Sequence, residues 1–99
     1  MDVLTEKQFA VIGTLTGGEL CAKDVQAALK KIGIKQSKPS FYLLIARMEE
    51  SKLIKSRKQS KKAGDYTVRE SWYKVTATGL RAFDRTREFY AWNAGGEPC

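Results

Sequence analysis

The chain has 99 residues, one domain's worth, with 42% hydrophobic and 29% charged residues. Eighteen Lys and Arg face eleven Asp and Glu, for a net charge of +7, and there is no histidine. The missing imidazole removes His-based acid–base chemistry, Ser-His and Cys-His nucleophile pairs and nearly every common catalytic metal site.

In chain order, Thr5 with Gln8 has the spacing of a capping box and predicts a helix over Glu6–Leu15, stopped by Gly17-Gly18. Leu20, Val25, Ala28, Leu29 and Ile32 share one apolar face, predicting a second helix over Ala22–Ile32 that ends at Gly33. Ser37-Lys38-Pro39 is a helix start, and Phe41, Leu44, Ile45 and Met48 follow as one apolar face, so a third helix spans Lys38–Glu50. Tyr42 falls off that face, with Arg47 near it. Leu53–Gln59 is a basic strand, and Ser60–Asp65 is expected to be a long, mobile turn. The return strand lies in Tyr66–Arg69 and Trp72–Val75, rich in β-branched and aromatic residues. Thr76 caps a short last helix over Ala77–Trp92 by accepting from the Gly79 N–H. Gly79, without a side chain, lets the helix start pack closely on a neighbour. Leu80, Phe83, Arg87 and Tyr90 are expected to share a face. The domain is therefore expected over 1–92, with 93–99 a flexible C-terminal tail.

The charge is concentrated. Residues 52–74 hold eight cations against two acids, net +6, while residues 1–51 carry +1 and residues 75–99 are neutral. So one-sided a cluster, flanked by strand-like sequence, points to a polyanion. The order of elements is helix, helix, helix, hairpin, helix, with a short Gly33–Ser37 link between the second and third. That is an α+β, mainly helical winged helix-turn-helix: three helices, a β-hairpin wing and a short C-terminal helix. Its geometry suits duplex DNA, with helix 38–50 in the major groove and the basic wing, residues 54–75, on flanking phosphates or the minor groove.

The stretch Lys38-Pro39-Ser40-Phe41-Tyr42-Leu43-Leu44-Ile45-Ala46-Arg47-Met48-Glu49-Glu50-Ser51-Lys52-Leu53-Ile54 resembles the recognition-helix signature of PadR-like transcriptional regulators. Trp72-Tyr73-Lys74-Val75-Thr76-Ala77-Thr78-Gly79 resembles the motif that follows the wing in that family. The likeness covers about residues 4–90, and related MarR-type winged helices share both motifs in looser form. Lys52 stands where the family has Gly before Leu-Ile, a position that often serves a left-handed turn, so a differently built turn is expected. Members of the family usually continue into a long C-terminal helix or helical domain that dimerises.

The resulting expectation is a sequence-specific double-stranded DNA-binding transcriptional regulator, a repressor, and not an enzyme. The alternative is a winged-helix protein-interaction or assembly module, since fold alone does not set function. The DNA-contacting residues expected from geometry and resemblance are Lys38, Ser40, Tyr42 and Arg47 on the third helix. From the wing they are Arg57, Lys58, Lys61, Lys62 and Arg69. The resemblance places Ser40 and Tyr42 where the family contacts the phosphate backbone. Phe89, Tyr90 and Trp92 crowd the end of the last helix and are expected to form a homodimer contact. No cofactor or metal is expected, and the sequence names no effector. Cys21 is expected partly buried and Cys99 exposed, with no disulfide between them. No apolar run approaches the roughly 18 residues of a membrane span. Met1–Gln8 lacks a signal-peptide pattern, so a cytoplasmic, nucleoid-associated protein is expected.

Overall fold

Thr5 and Gln8 cap each other: the Gln8 N–H donates to Thr5 Oγ1 at 3.2 Å, and the Thr5 N–H donates to Gln8 Oε1 at 3.0 Å. From this box α1 runs over Glu6–Leu15. A computed structural model describes residues 3–95, and the side chains of residues 3–91. The order continues β1 (Leu20–Cys21), α2 (Ala22–Lys31), α3 (Lys38–Glu50), β2 (Ile54–Ala63), β3 (Tyr66–Val75) and α4 (Ala77–Gly95). The sheet is antiparallel in the order β1-β3-β2. The winged helix-turn-helix expected from the sequence is the fold observed.

The core gathers Val11, Ile12 and Leu15 of α1, Val25 and Leu29 of α2, and Phe41, Ile45 and Met48 of α3, closed by Leu53, Ile54 and Tyr73. Full burial stabilises the fold by about 1.5–3 kcal/mol for each large apolar side chain. Burial also holds the Tyr73 hydroxyl above the usual tyrosine range, against the opposing hydrogen bond from Ser71 and with smaller upward pushes from Tyr42 and Glu49.

Two helices end the same way. At the end of α2, the Ile34 N–H reaches Leu29 O at 2.9 Å and the Gly33 N–H reaches Lys30 O at 3.1 Å, with Gly33 at φ +88°. At the end of α3, the Leu53 N–H reaches Met48 O and the Lys52 N–H reaches Glu49 O, both at 2.9 Å. Both are Schellman motifs, and the left-handed residue of the second is Lys52 at φ 60°. The turn expected to be built differently is thus the ordinary left-handed one, occupied by a residue with a Cβ.

Five other expectations are corrected. β1 is a strand, paired through Leu20–Tyr73 and Cys21–Trp72; two residues are too few to show a period in sequence. Ile32 is not on the core face but is 62% exposed as the C-cap of α2, and the chain reversal at Gly33 turns Ile34 inward instead. The wing has no long loop: β2 and β3 each run ten residues in unbroken register to a two-residue turn at Gly64-Asp65. Gly64, at φ +67°, supplies the positive first central residue of a type II′ turn. The principal extents are 62 × 26 × 23 Å.

The remaining two corrections concern α4. At 19 residues it is the longest helix, continuing past the expected Trp92 to Gly95 and so taking in the start of the expected tail. Its buried positions are Gly79, Ala82 and Thr86, with Phe83 partly buried, whereas Leu80 and Arg87 are exposed. The reason is the close approach foreseen at Gly79, where a Cβ would fall on the Leu53 carbonyl oxygen and within 2.8 Å of Val75 Cγ2. Only small side chains fit along that face. Thr86 is fully buried; its hydroxyl accepts from the Leu4 N–H and donates to Ala82 O, both at 2.8 Å. Cys21 is half-buried, as expected. The Trp92 side chain, residues 96–99 of the expected tail and Cys99 lie outside the described residues.

Candidate nucleic-acid interface

Ser37 starts α3, accepting from the Ser40 N–H at 3.3 Å, with Pro39 in the first turn. Burying Phe41, Ile45 and Met48 turns the opposite side of α3 to solvent, and Lys38, Ser40, Tyr42 and Arg47 are all exposed there. Ser37 Oγ donates to Ser40 Oγ at 3.0 Å, which leaves the Ser40 proton available to donate outward. Tyr42 stands edge-on to Phe41 with ring centroids 5.2 Å apart.

A groove of about 500 Å³ runs between α2, α3 and the wing, and Lys38, Tyr42 and Arg69 line it together with Lys23, Gln26 and Ser71. It brings three of the expected residues from two distant stretches of sequence onto one surface. A neighbouring groove of about 380 Å³ along the α2–α3 turn adds Lys30 and Lys35. The sequence reading missed Lys23, Gln26 and Lys30. Their i, i+3, i+7 spacing along α2 was the available signal.

The wing is two-faced. Directly paired residues in an antiparallel hairpin share a face, and successive residues alternate. Ser56 and Tyr73 are one pair, and Ser56 Oγ donates to Glu49 Oε2 on α3 at 2.8 Å. By the unbroken register, Lys58, Lys62 and Arg69 lie on that same face, the one turned toward α3 at its base. Arg57 and Lys61 lie on the other, with Trp72, Val68 and Tyr66. Lys61 and Lys62 are neighbours in sequence on opposite sides of the ribbon.

Arg57 is already engaged. Its Nε and Nη2 donate to the two carboxylate oxygens of Glu19, each at 2.7 Å, and Nη1 donates to Gln59 Oε1 at 3.0 Å. Its guanidinium carbon lies 5.7 Å from the centroid of the Trp72 ring. Hydrogen bonding from Arg57 lowers the Glu19 carboxyl below the usual glutamate range, against a small opposing desolvation, and raises Arg57 in return. Arg57 therefore braces the wing against the residue before β1. All nine expected DNA-contacting residues, Arg57 included, are exposed.

No protein-family model and no curated protein matches the sequence. Solved structures match strongly. A PadR family transcription regulator from Clostridium difficile R20291 superposes with a TM-score of 0.78 at 16% identity, over 89% of this chain and 90% of that one. The fold is that of the PadR-family winged helix. A PadR-like regulator from Bacillus cereus ATCC 14579 gives 0.70 at 22% identity, over 91% of this chain and 84% of that one. Bacillus subtilis PadR, solved in complex with operator DNA, gives 0.70 at 17% identity over 82% of this chain. The match spans 46% of that longer PadR.

Proposed function

We propose that this chain is a PadR-like transcriptional regulator that binds specific duplex DNA. The observation that carries the reading is the convergence of Lys38 and Tyr42 of α3 with Arg69 of the wing on one groove, with Lys58 and Lys62 on the same face of the wing. In this reading α3 enters the major groove, and Lys58, Lys62 and Arg69 hold flanking phosphates or enter the minor groove. The operator complex of Bacillus subtilis PadR, a protein of the same fold, supports DNA as the partner. Occupying a promoter represses by exclusion alone, which makes repressor the proposed sign. The proposed place of action is the nucleoid, no catalytic step is assigned, and among the described residues no helix is long and apolar enough to cross a membrane.

The partner also includes a second copy of the chain. Leu80, Phe89 and Tyr90 of α4 are each 40–43% exposed. Beside α4 lies an apolar groove of about 660 Å³ bounded by Phe9, Phe83, Ile32 and Ile34. Exposed apolar surface along and beside a helix marks an association site, and homodimerisation through the Phe89–Tyr90 end of α4 covers part of it.

Selection of bound duplexes from a random pool tests both statements. A palindromic consensus is the expected result. A consensus without two-fold symmetry removes the dimer, and the absence of duplex binding at about 50 mM salt, where phosphate contacts are strong, turns the reading to a protein-interaction module.

A further inference from the structure

The outward centre of α3 is apolar. Pro39, Leu43 and Ala46 stand at i, i+4 and i+7, opposite the buried Phe41–Ile45–Met48 face, and all three are exposed. Leu43 is 54% exposed, more than Tyr42 at 45%. Polar residues flank this stripe on both sides. Lys38 and Tyr42 lie toward the wing groove, and Ser40 and Arg47 lie on the other side. Glu50 follows on the stripe's own line, and Glu49 on the Lys38–Tyr42 side, at the C-terminal end of the helix. Those carboxylates disfavour phosphate there, so the N-terminal part of α3, where Lys38 stands, makes the deepest approach.

An apolar strip between cationic flanks matches one surface in particular. The major groove of B-DNA has phosphate rails on both sides, and at each A·T pair the thymine C5-methyl projects into it. A protein-docking helix has no need of cations on both sides of its apolar line.

We propose that Leu43, with Ala46 beside it, reads thymine methyl groups and is the residue that sets the A·T positions of the recognised half-site. This inference rests on the DNA-binding reading above and adds to it a specificity residue and the group it recognises. Lys38, Ser40 and Arg47 then position the helix, and Leu43 discriminates.

The test replaces thymines of the selected duplex one at a time with deoxyuridine, which removes the methyl and leaves every hydrogen-bonding group in place. Affinities are measured for the unaltered protein and for Leu43→Ala and Ala46→Gly, with folding checked by circular dichroism. At one or two thymines per half-site, loss of the methyl weakens binding about fourfold for the unaltered protein, the worth of one buried methyl. The same replacement leaves Leu43→Ala binding nearly unchanged, because the contact is already gone. Duplex binding that is insensitive to every methyl, or equally sensitive in the unaltered protein and in Leu43→Ala, overturns the inference and leaves the DNA-binding reading intact. Failure of the unaltered protein to bind any duplex overturns both.

Discussion

Arg57 and Glu19 form a two-pronged ion pair, 38 residues apart in sequence, with both contacts at 2.7 Å. The pair joins the base of the wing to the residue before β1, and the Trp72 ring lies within cation–π reach of the guanidinium. The Glu19 carboxyl is held below its ordinary value, so the brace is intact above the unfolded glutamate value of about 4.3. It opens as pH falls through the lower folded value. In a Trp92→Phe background, Trp72 fluorescence is expected to show this acid transition, and Glu19→Gln is expected to abolish it. An identical transition in Glu19→Gln would assign it to another carboxylate.

Lys61 and Lys62 separate in function because they separate in space. Lys62 shares its face of the hairpin with Lys58 and Arg69, whereas Lys61 lies opposite Val68. Each phosphate neutralised adds about 0.9 to the slope of log affinity against log salt. Lys62→Ala is expected to flatten that slope by about 0.9 per protomer, and Lys61→Ala to leave it nearly unchanged. Equal flattening by the two variants would mean that both faces of the wing touch phosphate.

Lys52 occupies a left-handed position that costs a residue with a Cβ roughly 1–2 kcal/mol. Glycine loses more chain entropy on folding, which offsets roughly 0.5–1 kcal/mol of the relief. Lys52→Gly is therefore expected to raise the melting temperature by a few degrees, as reversible thermal denaturation will measure. Lys52→Ala keeps the strain and is expected to give no such rise.

Two glycines respond to alanine with opposite sign. At Gly79 the new Cβ meets the Leu53 carbonyl, which cannot retreat easily because it accepts from the Thr76 N–H at 3.1 Å. Gly79→Ala is expected to destabilise by about 1–3 kcal/mol, the usual cost of overpacking, despite the better helix propensity of alanine. At Gly13 the nearest atom is Phe83 Cε1 at 3.6 Å, an ordinary contact. Gly13→Ala is expected to gain up to about 1 kcal/mol from propensity. Chemical denaturation of both variants decides the signs.

Phe89 offers a dimer test that leaves the α1–α4 ring contact in place. Tyr90 packs edge-on to Phe9 at 5.7 Å and so supports that contact, whereas Phe89 is 40% exposed and meets Tyr90 edge-on at 5.6 Å. By sedimentation equilibrium at micromolar concentration, twice the 11.1 kDa chain mass is expected, falling to the monomer for Phe89→Ser. A monomer for the unaltered protein removes the α4 interface.

Local chemistry was legible without coordinates. The Thr5–Gln8 box, the Ser37 and Thr76 caps and the apolar period of α3 depend on residues within one or two turns of each other. Their meaning does not change with what packs nearby. The winged-helix order and the basic wing followed from these elements and from the position of the charge. Long-range placement had to come from the tertiary structure. β1 exists because β3 lies beside it, and the buried face of α4 follows from how closely Gly79 meets Leu53. Strand parity is set by the register of β2 on β3, and that register decides that Lys62 and Lys61 face opposite ways. The capture of Arg57 by Glu19 was invisible for the same reason: a cation in a basic run looks free until the fold brings a carboxylate to it. Sequence determines which groups carry charge and which turns can form, because those depend on near neighbours. Which cations remain open to a partner depends on contacts between distant segments, and only packing creates those.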